Sequence, residues 1–276
     1  LLNISADPTK QTAALVQLCE QFPDSLEAVL ALARNSILRG DLAAAERQIA
    51  TASALPGADF RIKWYQGMLH MAGGRHKEAL ECFQACYTEV PGELAPQLAL
   101  GLAYEALGDD TAAVYYDRTA GTDETYITAV FGLARCLLKS GNRAEAVNAL
   151  ERVPQMSSLF TEGQKAAVRA LIDDAHTAPT AVEITQAAEI VERLTADEAE
   201  KTRLRAEVLD TALLAVKSGA TGQGAQGNLF GQAFSETGVR TGLEKALRDL
   251  ARLSRDTQEK VAYVDRANAI RPKSFV

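Results

Sequence analysis

The fold of this chain is decided by residues 60–110, which read FRIKWYQGMLHMAGGRHKEALECFQACYTEVPGELAPQLALGLAYEALGDD. Two glycines in this stretch, Gly74 and Gly108, lie 34 residues apart, and Gly40 and Gly141 continue the series at spacings of 34 and 33. A small residue lies seven positions before each glycine and an alanine five positions after it. The small residues are Ala33, Gly67, Gly101 and Ala134, and the alanines are Ala45, Ala79, Ala113 and Ala146. Three columns stay in phase through four periods, which identifies an internal repeat.

A 34-residue period with small residues in these columns is typical of the tetratricopeptide repeat, a pair of antiparallel helices. The two helices pack so closely that the side chains at their contact must be small, and the glycine lets the chain turn between them. We therefore predict an all-α tetratricopeptide-repeat solenoid of about four helical hairpins, continued by irregular carboxy-terminal helices. Such stacks present extended concave surfaces that bind other proteins.

The predicted domain organisation has three parts. Residues 1–25 form a leading helix that starts at Asp7 and Pro8 and ends near Gln21. Residues 26–154 form the four hairpins, and residues 155–276 form an irregular helical continuation, or cap, of the same array. The predicted hairpins cover 26–59, 60–93, 94–126 and 127–154. In the third hairpin Asp117 falls where the motif wants an apolar residue, so we expect a one-residue displacement with Tyr116 packing instead.

Beyond residue 154 the period fails, but the helical spacing of apolar residues continues. Five helices are predicted, at 161–175, 181–194, 197–217, 236–253 and 257–270. Two capping boxes are predicted at their starts, Thr195 with Glu198 and Asp256 with Glu259.

Composition narrows the function classes. The net charge of −7 and pI near 5.2 argue against a general nucleic-acid binder. No apolar stretch reaches the length of a membrane span, and the amino terminus lacks the pattern of a signal peptide. We therefore expect a soluble, cytoplasmic protein with no direct membrane insertion. Because the chain does not begin with methionine, we also expect it to be part of a longer protein.

No catalytic or metal-binding motif is found in the sequence. The four cysteines form no CxxC pair, and the three histidines lack ligand spacing, so we predict buried free thiols, no metal site and no cofactor. The GxGxxG at Gly222, Gly224 and Gly227 lacks a preceding strand, which favours a flexible interhelical loop over a nucleotide site. No VAIK, HRD or DFG element occurs. An enzyme with an unrecognised site and a free-standing adaptor or chaperone both stay open as alternatives.

Several stretches resemble the carboxy-terminal region of the actinobacterial serine/threonine protein kinase G family. They are FRIKWYQGML (60–69), VPGELAPQLALGLAYEALGD (90–109), ITAVFGLARCLLKSGNRAEAVNALERVP (127–154), GVRTGLEKALRDLAR (238–252) and VDRANAIRPKSF (264–275). The resemblance implies a soluble protein that joins a kinase domain to this repeat domain. It also implies phosphorylation of a forkhead-associated-domain regulator of 2-oxoglutarate dehydrogenase, and hence control of glutamate metabolism. ATP and Mg²⁺ are implied only for the kinase domain, whose motifs have no counterpart in this chain.

The implied partners are proteins: the chain's own kinase domain, the forkhead-associated regulator, or a second copy in a homodimer. In the repeat motif the first helix of each hairpin lines the concave face. The corresponding residues here are Arg34, Arg61, Trp64, Met68, Met71, Leu98, Leu102, Glu105, Phe131, Arg135, Leu138 and Lys139. We expect arginines at 34, 61 and 135 to anchor an acidic partner, because guanidinium groups pair bidentately with carboxylates. The alternative is that later helices fold back over this face and fill it.

Overall fold

The computed structural model describes residues 8–219 and 227–272. These residues form fourteen α-helices and one two-stranded antiparallel sheet, which confirms the prediction of an all-α repeat fold. The helices are α1 (Pro8–Gln21), α2 (Leu26–Leu38), α3 (Leu42–Ser53), α4 (Phe60–Ala72), α5 (His76–Glu89), α6 (Leu94–Leu107), α7 (Thr111–Thr122), α8 (Ile127–Lys139), α9 (Arg143–Leu150), α10 (Phe160–Leu171), α11 (Ala181–Arg193), α12 (Glu198–Lys217), α13 (Glu236–Leu253) and α14 (Thr257–Ile270). The predicted starting residue Asp7 of α1 lies outside the described residues.

Helices α2–α9 form the four predicted hairpins, and a glycine closes the first helix of each pair. Gly40, Gly74, Gly108 and Gly141 all have left-handed backbone, with φ of +76°, +71°, +75° and +79°. Residues with a Cβ rarely adopt this conformation, so the glycine column is set by the turn.

The small column is set by the contact between the two helices of a hairpin. A Cβ built on Gly101 of α6 would lie 2.9 Å from the ring of Tyr116 on α7, and one built on Gly67 would strike the Phe83 ring. Ala33 and Ala134, at the matching positions of the first and fourth hairpins, are 0% and 3% exposed. The column therefore marks the closest approach of the two helices, as predicted.

The third hairpin shows the predicted displacement. Tyr116 is 0% exposed, and Ala112 is fully buried in place of Ala113, the alanine predicted from the repeat. The first turn of α7 carries i→i+3 bonds, from Ala112 N–H to Asp109 and from Ala113 N–H to Asp110, both 3.2 Å. Such a turn advances about 120° per residue instead of about 100°, which rotates the packed face toward the preceding residue.

The chain divides into two compact units, Leu1–Asp123 and Glu124–Val276. In the first unit each helix packs on the next, and its cores lie between α2, α3 and α4 and between α5 and α6. In the second unit α8–α14 also pack in chain order around one large core that includes Leu204, Leu209, Leu243 and Leu247. The predicted division at residues 25 and 154 stays a prediction.

All five predicted carboxy-terminal helices are present, with small changes at their ends. Helix α10 stops at Leu171, before the predicted end at residue 175. Helix α12 is capped by Asp197, whose carboxylate accepts the Glu200 N–H at 2.9 Å, so the predicted box of Thr195 with Glu198 is wrong.

Helix α14 is capped by Asp256 as predicted. The second bond of the predicted capping box, from the Asp256 N–H to the Glu259 carboxylate, does not form, because this N–H bonds the Ser254 hydroxyl instead. The Asp256 carboxylate accepts the Gln258 N–H at 2.7 Å, whereas the Glu259 carboxylate accepts the Ser254 hydroxyl at 2.6 Å. The reciprocal capping box lies instead on α11, between Thr180 and Glu183, where sequence reasoning did not place one.

A short β-hairpin precedes α13, and the sequence did not predict it. Strands Asn228–Leu229 and Gln232–Ala233 pair through a two-residue turn in which Phe230 and Gly231 have φ of +51° and +78°. Leu229 is fully buried, and Gly238 on α13, which has no Cβ, lets the Ala233 carbonyl approach closely. Of the predicted glycine loop, Gly222 and Gly224 lie outside the described residues.

Candidate functional site

In the first unit, the predicted concave face contains two arginines that differ in their ion pairs. Arg34 on α2 is exposed and belongs to none of the ion pairs found among the described residues. Arg61 on α4 is committed within the molecule: its Nε lies 2.9 Å from Asp59 Oδ1, and its Nη1 pairs with Glu27. Its hydrogen bond lowers the pKa of Asp59, so this carboxylate stays charged across the neutral range. Arg61 is therefore less available than Arg34 for a partner.

The apolar members of this face are partly buried. The Trp64 ring lies 5.5 Å from the Phe83 ring, centroid to centroid, and packs with Met71 on the core between α5 and α6. Met68 packs on the neighbouring core of α2–α4. These side chains therefore pack within the hairpins and are only partly exposed.

Helix α6 supplies the rest of the predicted face in this unit. The side chains of Leu98 and Leu102 are partly buried. Glu105 accepts a hydrogen bond from the Tyr116 hydroxyl at 2.5 Å, which ties α6 to α7. Glu105 thus has a packing role in the third hairpin.

In the second unit, Phe131 and Leu138 of α8 line an open groove of about 600 Å³ against α10. We call it the α8–α10 groove. Its other lining residues are Glu162, Lys165, Ala166, Arg169, Ala170, Ile172, Asp173 and Asp174. Phe131, Leu138, Ala166 and Ile172 also pack on the core of this unit, so the floor of the groove is apolar. Arg135 and Lys139 of α8 are exposed and lie outside this lining.

The two cations of the groove are neutralised by carboxylates. Lys165 Nζ lies 2.8 Å from Glu162 and 3.2 Å from Glu200, and its hydrogen bond to Glu162 is the main reason that its pKa is raised. Arg169 pairs with Glu207 at 3.1 Å. The guanidinium and ammonium groups therefore form part of a network with α12 and do not face the groove as free charges.

The structure brings part of the predicted set together. Phe131 and Leu138 meet in one groove, whereas Arg34, Arg61, Trp64, Met68, Leu98 and Leu102 lie in the other unit. A single face through all of them stays a prediction. Sequence reasoning missed the α10 wall, although Glu162, Ala166, Arg169, Ala170 and Asp173 recur at three-and-four spacing within a predicted helix.

Other chemistry finds little support in the part of the chain that the structure describes. The four cysteines are unbridged there, and burial raises the pKa of the Cys86 thiol to about 11, so this thiol stays protonated and unreactive at neutral pH. Among residues 8–219 and 227–272, no three His, Cys, Asp or Glu side chains group as metal ligands. No helix in the same ranges has the length and apolarity to cross a bilayer.

This chain is similar to known proteins in fold and in sequence. A protein from Cytophaga hutchinsonii described as a TPR repeat-containing protein superimposes over 97% of this chain and 92% of its own solved part, at a TM-score of 0.51 and 12% identity, which supports the fold alone. The serine/threonine-protein kinase PknG of Mycolicibacterium smegmatis is 33% identical over 91% of this chain, and that of Mycobacterium leprae is 31% identical over the same share.

The chain spans about a third of the length of these two relatives, 33% in each case. The sequence model of the family described as protein kinase G tetratricopeptide repeat matches residues 5–274, so the match includes the first hairpin. Because that model covers nearly all of the sequence, the chain belongs to the protein kinase G tetratricopeptide repeat family.

Proposed function

We propose that this chain is the non-catalytic docking domain of a serine/threonine protein kinase and binds a protein partner in the α8–α10 groove. The observation that carries the proposal is the groove itself: it presents an apolar floor around Phe131 and Leu138 and remains open to about 600 Å³. Protein segments are commonly recognised in apolar grooves whose rims are polar. A repeat stack offers such concave surfaces without catalytic groups.

We propose the identity of the partner from the family to which the chain belongs. The docked partner is the forkhead-associated-domain regulator of 2-oxoglutarate dehydrogenase, which the kinase phosphorylates in the cytoplasm to tune glutamate metabolism. ATP and Mg²⁺ act at the kinase domain, outside this chain. The kinase domain itself and a second copy of this chain are the competing occupants, and a free-standing adaptor is the alternative if the gene encodes no kinase domain.

The proposal is tested by blocking the groove in the full-length protein. Ala166→Arg places a long cation on the groove floor, and Ala262→Arg makes the same change at an exposed position of α14. The readout is the ratio of kcat/KM for the intact regulator to kcat/KM for a short peptide with the same acceptor site. We expect Ala166→Arg to lower this ratio about tenfold, a loss of about 1.4 kcal/mol of docking energy.

Ala262→Arg is expected to leave the ratio at its original value. A ratio that Ala166→Arg does not change, in a variant with an unaltered circular dichroism melt, would contradict docking in this groove. A fall caused equally by both variants would point to a general effect of added charge.

A further inference from the structure

One end of the α8–α10 groove is formed by two aspartates that belong to no ion pair found among the described residues. Asp173 and Asp174, just after the end of α10, are on the lining beside Leu138 and Ile172. The Asp173 carboxylate accepts only the Ala175 N–H, at 3.1 Å, among the bonds of the described residues, and no ion pair found there includes either aspartate. The nearby cations Lys165, Arg169 and Arg143 are paired with Glu162, Glu207 and Glu183, so none of them forms an ion pair with these two acids.

The negative charge is local to the groove. Residues 124–276 contain 20 Asp and Glu and 20 Lys and Arg, so the second unit is neutral as a whole. The lining of the groove, by contrast, carries three carboxylates, at residues 162, 173 and 174, and two cations, at residues 165 and 169. A charge that departs from its surroundings in this way acts on partner choice, because like charges repel at an interface and opposite charges steer association.

We propose that the α8–α10 groove takes a protein segment in which a large apolar side chain is followed by one or two Lys or Arg. The apolar side chain fills the floor between Phe131, Leu138 and Ile172, and the cations lie at Asp173 and Asp174. This inference rests on the proposed docking function and specifies its ligand. It is opposite in sign to the acidic partner expected from Arg34, Arg61 and Arg135, none of which lines this groove.

The test uses two fluorescein-labelled ten-residue peptides with the same Leu-Phe core, one flanked by lysines and one by glutamates, and the full-length protein. By fluorescence anisotropy at physiological salt we expect the lysine peptide to bind at least tenfold more tightly than the glutamate peptide. Ala166→Arg should abolish this binding. Raising the salt concentration should weaken the lysine peptide selectively, because exposed charge pairs are screened.

A pair of matched variants locates the charge. Asp173→Asn with Asp174→Asn should weaken the lysine peptide about three- to tenfold, as expected for two partly exposed pairs. Asparagine keeps an oxygen that can accept the Ala175 N–H, so the turn is preserved. The control is Glu189→Gln with Glu192→Gln, which neutralises two exposed acids of α11 in the same unit and should leave binding as it was.

Equal binding of the two peptides, tighter binding of the glutamate peptide, or binding of neither would overturn the inference. An equal effect of the aspartate and control variants would overturn it as well. If Ala166→Arg lowers the regulator ratio while the peptides do not discriminate, the docking function holds and this ligand class is wrong. If the lysine peptide binds at Asp173 and Asp174 while that ratio does not change, the ligand class holds and the docking function is wrong.

Discussion

Gly101→Leu is expected to destabilise the first unit by about 1 to 3 kcal/mol or more, since extra methylenes in a filled contact force side chains and backbone apart. A single Cβ at this position would already lie 2.9 Å from two ring carbons of Tyr116. The ring cannot retreat freely, because Tyr116 is fully buried and its hydroxyl donates to Glu105 at 2.5 Å. The strain therefore falls on the packing of α6 against α7.

The measurement is the free energy of unfolding from urea titration, with Gly92→Leu as the control. Gly92 has no neighbouring atom within 4 Å of an added Cβ, and its backbone is not left-handed, so a leucine there meets open space. A midpoint unchanged by Gly101→Leu, or lowered equally by both substitutions, would show that the small column is not a packing column.

The repeat columns were predictable because each is imposed by a local physical demand that recurs with the period. A left-handed turn requires glycine at Gly40 or Gly74, and a close helix contact requires a small residue at Ala33 or Gly67. Even the defect of the third hairpin was visible, because Asp117 cannot occupy a buried position and Tyr116 beside it can. Local constraints of this kind restrict the residue type at single positions, and the sequence therefore shows them.

Other features could not be predicted, because the sequence offers several local patterns that are equally compatible with them. Thr195 and Asp197 are both good caps for α12, and only the path of the chain from α11 decides that Asp197 is used. Likewise Leu229 and Phe230 read as a short apolar patch, and the hairpin becomes evident only when Leu229 is buried and Gly238 admits the Ala233 carbonyl. Such features are settled by tertiary contacts that sequence periodicity does not contain.

The candidate site falls between these two cases. Phe131 and Leu138 follow from the repeat columns, since α8 is the first helix of a hairpin. The opposite wall comes from α10, which lies beyond the last regular repeat and has no column to identify it. The charges of that wall were readable, but their pairing with Glu200 and Glu207 of α12 joins residues that only the fold brings together.

Arg143→Ala is expected to destabilise the second unit by about 3 kcal/mol, because it breaks a largely buried ion pair and several charged hydrogen bonds. The Arg143 side chain is 11% exposed and donates to Glu183 Oε1 at 2.9 Å and to the Asp173 carbonyl at 2.5 Å, and it also donates to the Thr177 carbonyl. It thereby fixes the turn after α10 to the start of α11. Without it, the two carbonyls lose this donor, and the partly buried Glu183 carboxylate keeps only its bonds from the Thr180 N–H and hydroxyl.

The pH dependence of this loss gives a second, independent readout. Burial pushes the pKa of Glu183 up, but the Thr180 N–H and hydroxyl and the Arg143 guanidinium outweigh it and lower the pKa. A carboxyl with a lowered folded pKa contributes stability above its unfolded value of about 4.3, and loses it as pH falls through the folded value. The difference between wild type and Arg143→Ala should therefore be full at pH 7 and shrink as the pH drops below about 4.

The control is Arg252→Ala, which removes a side chain that is 76% exposed and that pairs, within the described ranges, only with Asp249 one turn away on α13. We expect it to cost no more than about 0.2 to 1 kcal/mol, with little change between pH 7 and pH 4. Equal losses in the two variants would mean that Arg143 contributes no more than a surface pair. The contact between α9 and the turn after α10 would then rest on apolar packing around Val147, Leu150 and Leu171 alone.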